Sequence, residues 1–217
     1  VHDILAVLRG VLDHTAAQCP GMFPGIEVTH PRESRTEMRV LTREEQERLV
    51  TYLLADTDNC KFGVLLMMLC GMRIGELCAL RWGNIDVRER TVRITATMQR
   101  LRDTAMTGDS RTRIVIGAPK SDTSLRVIPM TDYTAELCRR FMREDEEAFV
   151  LTGTEKYMEP RALQYRIGKY TKACGLEGVH AHTLRHTFAT RAVEVGVEIK
   201  SLSELLGRAN TSITLER

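Results

Sequence analysis

An excess of charge of either sign is missing from this sequence: 31 lysines and arginines stand against 29 aspartates and glutamates, a formal net charge of +2. Bulk charge therefore does not mark a nucleic-acid binder, and any anion-binding surface must come from local arrangement. Paired cysteines are missing as well. Cys19, Cys60, Cys70, Cys78, Cys138 and Cys174 form no CxxC and keep no regular spacing, and Cys70 and Cys78 lie in apolar helical sequence. They read as buried thiols in a reducing cytoplasm, not as a disulfide framework. No hydrophobic run is long: Phe62 to Met72 is too short to cross a bilayer and is interrupted by Gly63 and Gly71. No signal peptide is visible, since Asp3 and Arg9 sit within an amphipathic pattern at the amino end. No internal repeat is present. The expectation is a soluble, cytoplasmic protein with no membrane partner.

What is present is a chain of 217 residues, 43% hydrophobic, enough to bury a core in one domain or one domain plus a fragment. Residues 1–18 read as one amphipathic helix, with Ile4, Leu5, Leu8, Val11 and Leu12 at helical spacing. A lone helix cannot bury that face, so it is expected to belong to another unit. Residues 19–38 read as a linker punctuated by Pro20, Gly21, Pro24, Gly25 and Pro31. Arg32, Arg35 and Arg39 decorate its end, either as solvated charges or as a strap along a phosphate backbone. Leu41-Thr42-Arg43-Glu44-Glu45 is a capping box behind a hydrophobic residue, which starts a helix at Thr42 running to about Ala55. An apolar helix from Cys60 to about Cys70 and a short one from Arg73 to about Arg81 follow.

The period then changes to two. Thr91–Thr97, Arg113–Ile116 and Ser124–Pro129 read as three short strands, with the polar and basic stretch Met98–Arg111 as a hairpin extension or mobile loop. Helices resume at Asp132–Met142, Pro160–Ala173, Thr183–Val195 and Lys200–Leu206, the last two ending at Gly196 and Gly207. The cluster Glu144–Glu147 reads as a solvated helix end. The expected fold is thus mainly α with a small three-stranded antiparallel β-sheet (α+β), with Lys120 in the turn between the second and third strands.

Three separated segments carry chemistry. Arg73 follows Gly71, where only glycine readily turns the chain out of an apolar helix, and Glu76 three residues on can fix its guanidinium plane. The plain alternative is a helix-surface ion pair. Lys120 on a hairpin tip is either a solubilising charge or a mobile general acid for the leaving oxygen of a phosphodiester. His182 and Arg185, three apart, share a helix face, and a helix start favours a phosphate. His182 and His186 have metal-ligand spacing, but the glutamate of HExxH is absent and only His180 is near as a third ligand, so no metal site is assigned. The helix expected from Pro160 is a candidate major-groove element, with Arg161 and Gln164 as contacts. Ala192–Leu206 with Gly196 also resembles a helix-turn-helix, which would make a transcription regulator, but that leaves Arg73, Lys120 and the strands unexplained.

Cys70-Gly71-Met72-Arg73-Ile74-Gly75-Glu76-Leu77 with Leu80-Arg81-Trp82, Pro119-Lys120 with Arg126-Val127-Ile128-Pro129, His182-Thr183-Leu184-Arg185-His186-Thr187-Phe188-Ala189, and Leu205-Leu206-Gly207 resemble, in order, the boxes of the tyrosine recombinases (phage integrase family). The resemblance covers about residues 39 to 217, and its details look closest to integrases of phages and integrative conjugative elements. It implies a catalytic domain over 39–217, with residues 1–18 as the last helix of a core-DNA-binding domain. It implies a reaction without metal or ATP, in which a tyrosine attacks the scissile phosphate, forms a 3′-phosphotyrosyl link and frees a 5′-hydroxyl. By position, Arg73 and Arg185 would clamp the non-bridging oxygens, Lys120 would protonate the leaving oxygen and His182 would assist proton transfer. The implied partners are double-stranded DNA, three further copies of the chain in a tetramer on paired sites, and accessory DNA-bending or directionality factors, in a bacterial cytoplasm at the nucleoid.

Two departures from the family pattern stand out. Leu206-Gly207 is followed by Arg208 where histidine or tryptophan is usual. An arginine can donate to a phosphate oxygen, so Arg208 stays a candidate. The nucleophilic tyrosine is expected nine or ten residues further on, yet residues 209–217 contain none, and Tyr52, Tyr133, Tyr157, Tyr165 and Tyr170 match no such box. Either the nucleophile lies just past Arg217, or this is a recombinase-derived protein that binds DNA without cutting it.

Overall fold

The computed structural model describes residues 2–19, 38–102, 112–118 and 125–207. Residues 1–37 and 38–217 form two separate units. In the first, α1 (His2–Gln18) is the helix expected from the amphipathic pattern, with Ile4, Val7, Leu8 and Val11 exposed.

The second unit begins with the capping box. Thr42 Oγ1 accepts the Glu45 N–H at 3.2 Å and Glu45 Oε2 accepts the Thr42 N–H at 3.0 Å, and α2 (Arg43–Ala55) follows. Leu41 just before it is buried, and its N–H donates to Thr187 Oγ1 at 3.0 Å. Next comes α3 (Asn59–Cys70), capped by Asp58 and apolar on nearly every side, as a helix at the centre of a core must be. Phe62 stacks on Trp82 at 5.6 Å and on Phe141 at 4.7 Å, and the Gly63 hydrogen faces Leu151 where a Cβ would lie 2.4 Å from a methyl group. Cys60, Cys70, Cys78 and Cys138 are buried free thiols. Burial pushes all four up, Cys138 to about 12, so they stay protonated.

After the short α4 (Ile74–Ala79) and a 3₁₀ turn at Trp82–Asn84, five strands follow: β1 (Ile85–Asp86), β2 (Thr91–Ile94), β3 (Thr97–Arg102), β4 (Thr112–Gly117) and β5 (Arg126–Pro129). All pairing is antiparallel, so the mainly helical α+β class holds, but the grouping corrects the expectation. Residues 91–97 are not one strand. β2 pairs with β1 and β5 in a three-stranded sheet (Val92 opposite Ile128), whereas β3 pairs with β4 as a separate ribbon (Met98 opposite Ile116). The chain changes partner at Thr95–Ala96. Met98–Arg102 is strand, which agrees with the hairpin-extension reading of this stretch and not with the mobile loop. Lys120 and its expected turn lie outside the described residues.

The ribbon starts hard against α4. A Cβ on Gly75 would lie 2.6 Å from the Met98 carbonyl oxygen and 2.8 Å from Thr97 Oγ1. Gly75→Ala gains roughly 1 kcal/mol of helix propensity but must displace a backbone oxygen that cannot swing aside. The expected net loss is about 1–3 kcal/mol, read as a lower urea midpoint; an unchanged or higher midpoint contradicts the close approach.

The remaining helices are α5 (Asp132–Phe141), α6 (Pro160–Ala173), α7 (Ala181–Glu194) and α8 (Ile199–Leu205). Gly196 and Gly207 follow the last two with φ of +87° and +61°, as expected for their stops. The exposed cluster Glu144–Glu147 lies just past α5, with Glu147 paired to Arg81 at 2.9 Å.

Candidate active site

At the end of α3, Gly71 takes φ +62° and its N–H closes the helix on Met67 O. A side chain there is excluded twice, by the left-handed backbone and by the Phe188 ring of α7, 2.4 Å from a Cβ position. The turn delivers Arg73 in extended conformation at the head of α4. Glu76 turns back onto it, accepting the Arg73 N–H at 2.8 Å and Arg73 Nη1–H at 2.7 Å. Here the plain and the functional readings of this spacing separate. A surface pair would be solvated, but the Glu76 side chain is 2% exposed, against 37% for Arg73.

A second guanidinium explains that burial. Arg126 of β5, its side chain 6% exposed, forks onto Glu76 through Nη1 (2.8 Å to Oε1) and Nη2 (2.9 Å to Oε2). Burial alone would push the Glu76 carboxyl up. The Arg126 fork, by hydrogen bond and charge, and then the Arg73 N–H and guanidinium outweigh it and hold the carboxyl below its ordinary value.

Arg185 of α7 is 6% exposed. It donates to Gly71 O at 2.6 Å and to Leu206 O. Arg73 Nη2 donates to Gly207 O at 2.7 Å, and Arg126 Nε to Leu205 O at 2.5 Å. Three arginines from three elements therefore gather on three successive carbonyls at the end of α8, the negative end of that helix's dipole. Sequence reasoning anticipated Arg73, Glu76 and Arg185. It missed the role of Arg126, although a signal existed: in a strand, Arg126 shares a face with Ile128, and a charge on a buried face needs a carboxylate partner.

The other expected residues fall as follows. His182 is exposed in the first turn of α7, one turn before Arg185. Gln164 of α6 caps that helix, its Oε1 accepting the Ala181 N–H at 3.2 Å with Nε2 3.5 Å from His180 Nδ1. Arg161 is exposed in the first turn of α6, beside the ion pair of Arg100 with Glu159. Arg39 is held within the unit by Glu45 at 2.8 Å and by the Glu177 carbonyl. Lys120, Arg208 and Arg35 lie outside the described residues. Among the described residues, no three His, Cys, Asp or Glu side chains cluster as metal ligands, and no helix is long and apolar enough to cross a membrane. Tyr170 is unsuited to nucleophilic attack, because burial and then Cys60 hold its phenol above the ordinary value. The helix-turn-helix reading also fails. The seven-residue α8 buries Leu202 and Ser203 and is held at its end by three arginines, so it is not a free recognition helix.

Chemically, among the described residues three guanidinium groups gather at the end of α8 with one carboxylate, Glu76, which pairs with two of them, and Arg73 is the arginine that solvent reaches. Such a cluster of cations suits a phosphate diester and the further negative charge that develops on it during displacement.

The chain is 30% identical over 190 residues to a tyrosine recombinase XerA of Thermococcus kodakarensis, covering 85% of this chain and 59% of that protein. It is 27% identical over 195 residues to the transposase from transposon Tn916 of Enterococcus faecalis, covering 81% and 46%. It thus spans about half to three fifths of the length of these relatives. Its fold matches a Tn1549 transposon integrase in complex with a circular intermediate DNA, with a TM-score of 0.75 at 20% identity over 99% of this chain and 72% of that one. It also matches a lambda integrase dimer bound to a core site, with a TM-score of 0.61 at 18% identity over 97% and 70%. The phage integrase family pattern matches residues 39–217, from the strap ahead of α2 past the arginine-held end of α8, and this chain belongs to that family.

Proposed function

We propose that residues 39–217 are the catalytic unit of a site-specific DNA recombinase that integrates and excises a mobile element, and that residues 1–18 belong to a core-DNA-binding domain joined by the 19–38 linker. The observation that carries this reading is the gathering of Arg73, Arg126 and Arg185 with Glu76 at the end of α8. Arg73 and Arg185 hold the non-bridging oxygens of one phosphate, and Glu76 aims Arg73. A tyrosine oxygen attacks phosphorus and the bond to the 5′-oxygen breaks, leaving the 3′-phosphate on the tyrosine. Lys120 gives its proton to the leaving oxygen, His182 assists the proton transfer, and Arg208 adds a donor. A free tyrosine, with a pKa of about 10, is only about 0.1% ionised at neutral pH, so the gathered cations serve the nucleophile as well as the phosphate. ATP has no role in this reading, because phosphodiester energy is kept in the phosphotyrosyl bond, and the charge stabilisation that a metal would supply falls to the arginines.

The partner is duplex DNA. Arg35 and Arg161 are the proposed backbone or groove contacts, Arg161 being exposed in the first turn of α6. Arg39 and Gln164, expected in the same role, act first by holding the strap ahead of α2 and the start of α7. Strand exchange between paired sites calls for four copies, with accessory factors setting direction, at the nucleoid.

The test is incubation of the full-length protein with a nicked suicide DNA, which should trap a covalent protein–DNA adduct. Binding without an adduct is the signature of a non-cleaving descendant and rejects the proposal. Affinity should fall by about 10³–10⁵ between 50 and 200 mM salt if some six to ten phosphates are contacted. Lys120→Ala should cleave poorly and recover in part on DNA whose 5′-bridging oxygen is sulfur, a leaving group that needs no proton. No recovery removes Lys120 from the general-acid role.

A further inference from the structure

Resting on the recombinase reading above, we infer that Arg126 is a positioning residue of the reaction: through Glu76 it sets the plane in which Arg73 meets the phosphate, and through Leu205 it fixes the end of α8 beside that plane.

The geometry makes Arg126 a support and not a contact. Its side chain is 6% exposed while Arg73 is 37% exposed, so Arg73 faces the substrate side and Arg126 lies behind it. A carboxylate has about four acceptor positions. Those of Glu76 are taken by the Arg73 N–H and Arg126 Nη2 on Oε2, and by Arg73 Nη1 and Arg126 Nη1 on Oε1. Glu76 cannot rotate without breaking the fork, so β5 dictates the carboxylate plane, and that plane dictates where Arg73 points. The third donor, Nε, goes to Leu205 O, two residues before the carbonyl that receives Arg73 Nη2. Arg126 therefore ties the same two elements, α4 and the end of α8, that Arg73 bridges.

Charge supports the same division of labour. Were Arg73 the sole partner of a buried Glu76, its positive charge would be spent on that carboxylate. With Arg126 neutralising Glu76 from behind, the charge of Arg73 stays available to a phosphate. Lysine cannot substitute, because a single ammonium presents no planar fork.

The experiment uses the full-length protein and the suicide DNA, comparing Arg126→Lys and Arg126→Gln with the parent. Single-turnover cleavage is followed from about pH 5 to pH 8, alongside DNA affinity and the urea midpoint. Arg126→Lys, which keeps the charge and so the fold, should bind DNA within about twofold of the parent, since phosphate contacts elsewhere carry binding. It should cleave about 10- to 100-fold more slowly, the scale of a misaimed catalytic group. Arg126→Gln should lose more and gain a new acid limb. Without the fork Glu76 titrates higher, and once protonated it no longer aims Arg73. The charged groups facing Glu76 among the described residues are Arg73 from its own turn and Arg126 from β5. Parent-like cleavage by Arg126→Lys overturns the inference. So does a loss of cleavage that merely tracks DNA affinity and urea midpoint with an unchanged pH profile, because that is packing alone. Failure of the parent protein to form any adduct rejects the recombinase reading itself, a result distinct from either.

Discussion

Arg73→Ala lowers single-turnover cleavage by the full-length protein roughly 100- to 1000-fold and leaves DNA affinity nearly unchanged. The reasoning starts from exposure. Arg73 spends two hydrogen bonds on Glu76 and Gly207 but keeps a solvent-facing side, so its loss removes a preorganised donor without opening the core. Binding survives because contacts along the duplex share the affinity, whereas Arg73 touches only the phosphate that reacts. Arg185 behaves differently. It is 6% exposed and satisfies the carbonyls of Gly71 and Leu206, so Arg185→Ala should cost fold stability together with cleavage. Arg185→Lys is the informative variant there. Measured side by side on suicide DNA, an Arg73→Ala protein whose affinity falls as steeply as its cleavage contradicts a transition-state role.

Glu76→Gln has the largest expected effect on stability, a loss of about 3–5 kcal/mol at neutral pH, the usual cost of removing one member of a buried ion pair. The amide keeps the shape but removes the charge onto which the buried Arg126 forks. Glu136 supplies the control: it pairs with Arg139 where both are 52% exposed, and Glu136→Gln should leave the urea midpoint unchanged within error. The acid dependence follows with its sign. The Glu76 carboxyl lies below its ordinary value near 4.5 in the folded chain, so its contribution is fully present above that pH. It is lost as pH falls through the folded value. Parent and Glu76→Gln stabilities should therefore converge in acid. A gap that stays constant down to strongly acid pH would show that the variant's defect is steric and not ionic.

Several parts of this molecule are legible in the sequence alone because their causes are local. The capping box at Thr42 and Glu45, the glycine stop at Gly71 and the Arg73–Glu76 pair each involve residues three or four apart. The backbone geometry of a helix end leaves those residues few alternatives. Strand location was legible for a similar reason, since alternation of Val92 and Ile94 with Arg93 marks an extended segment. Strand partnership was not. Residues 91–97 look like one run, yet the chain hands over from a sheet completed by β5 to a ribbon completed by β4. Pairing is a contact between distant segments, and period two is the same whichever segment supplies the partner.

The functional residues divide along the same line. Residue type and spacing marked Arg73, Glu76, His182 and Arg185 as an anion-handling set, because phosphate chemistry demands cations on a shared face or turn. The strand face that Arg126 shares with Ile128 hints at burial, but nothing local names its partners, 50 and 79 residues away, or separates Arg39 and Gln164 as internal struts from Arg39 and Gln164 as exposed contacts. A guanidinium reads the same on paper whether it meets water, a phosphate or a buried carboxylate. Which of these it meets depends on packing: α3 buried at the centre, α7 laid across Gly71, and β5 and α8 brought together so that one carboxylate and three carbonyls receive three arginines.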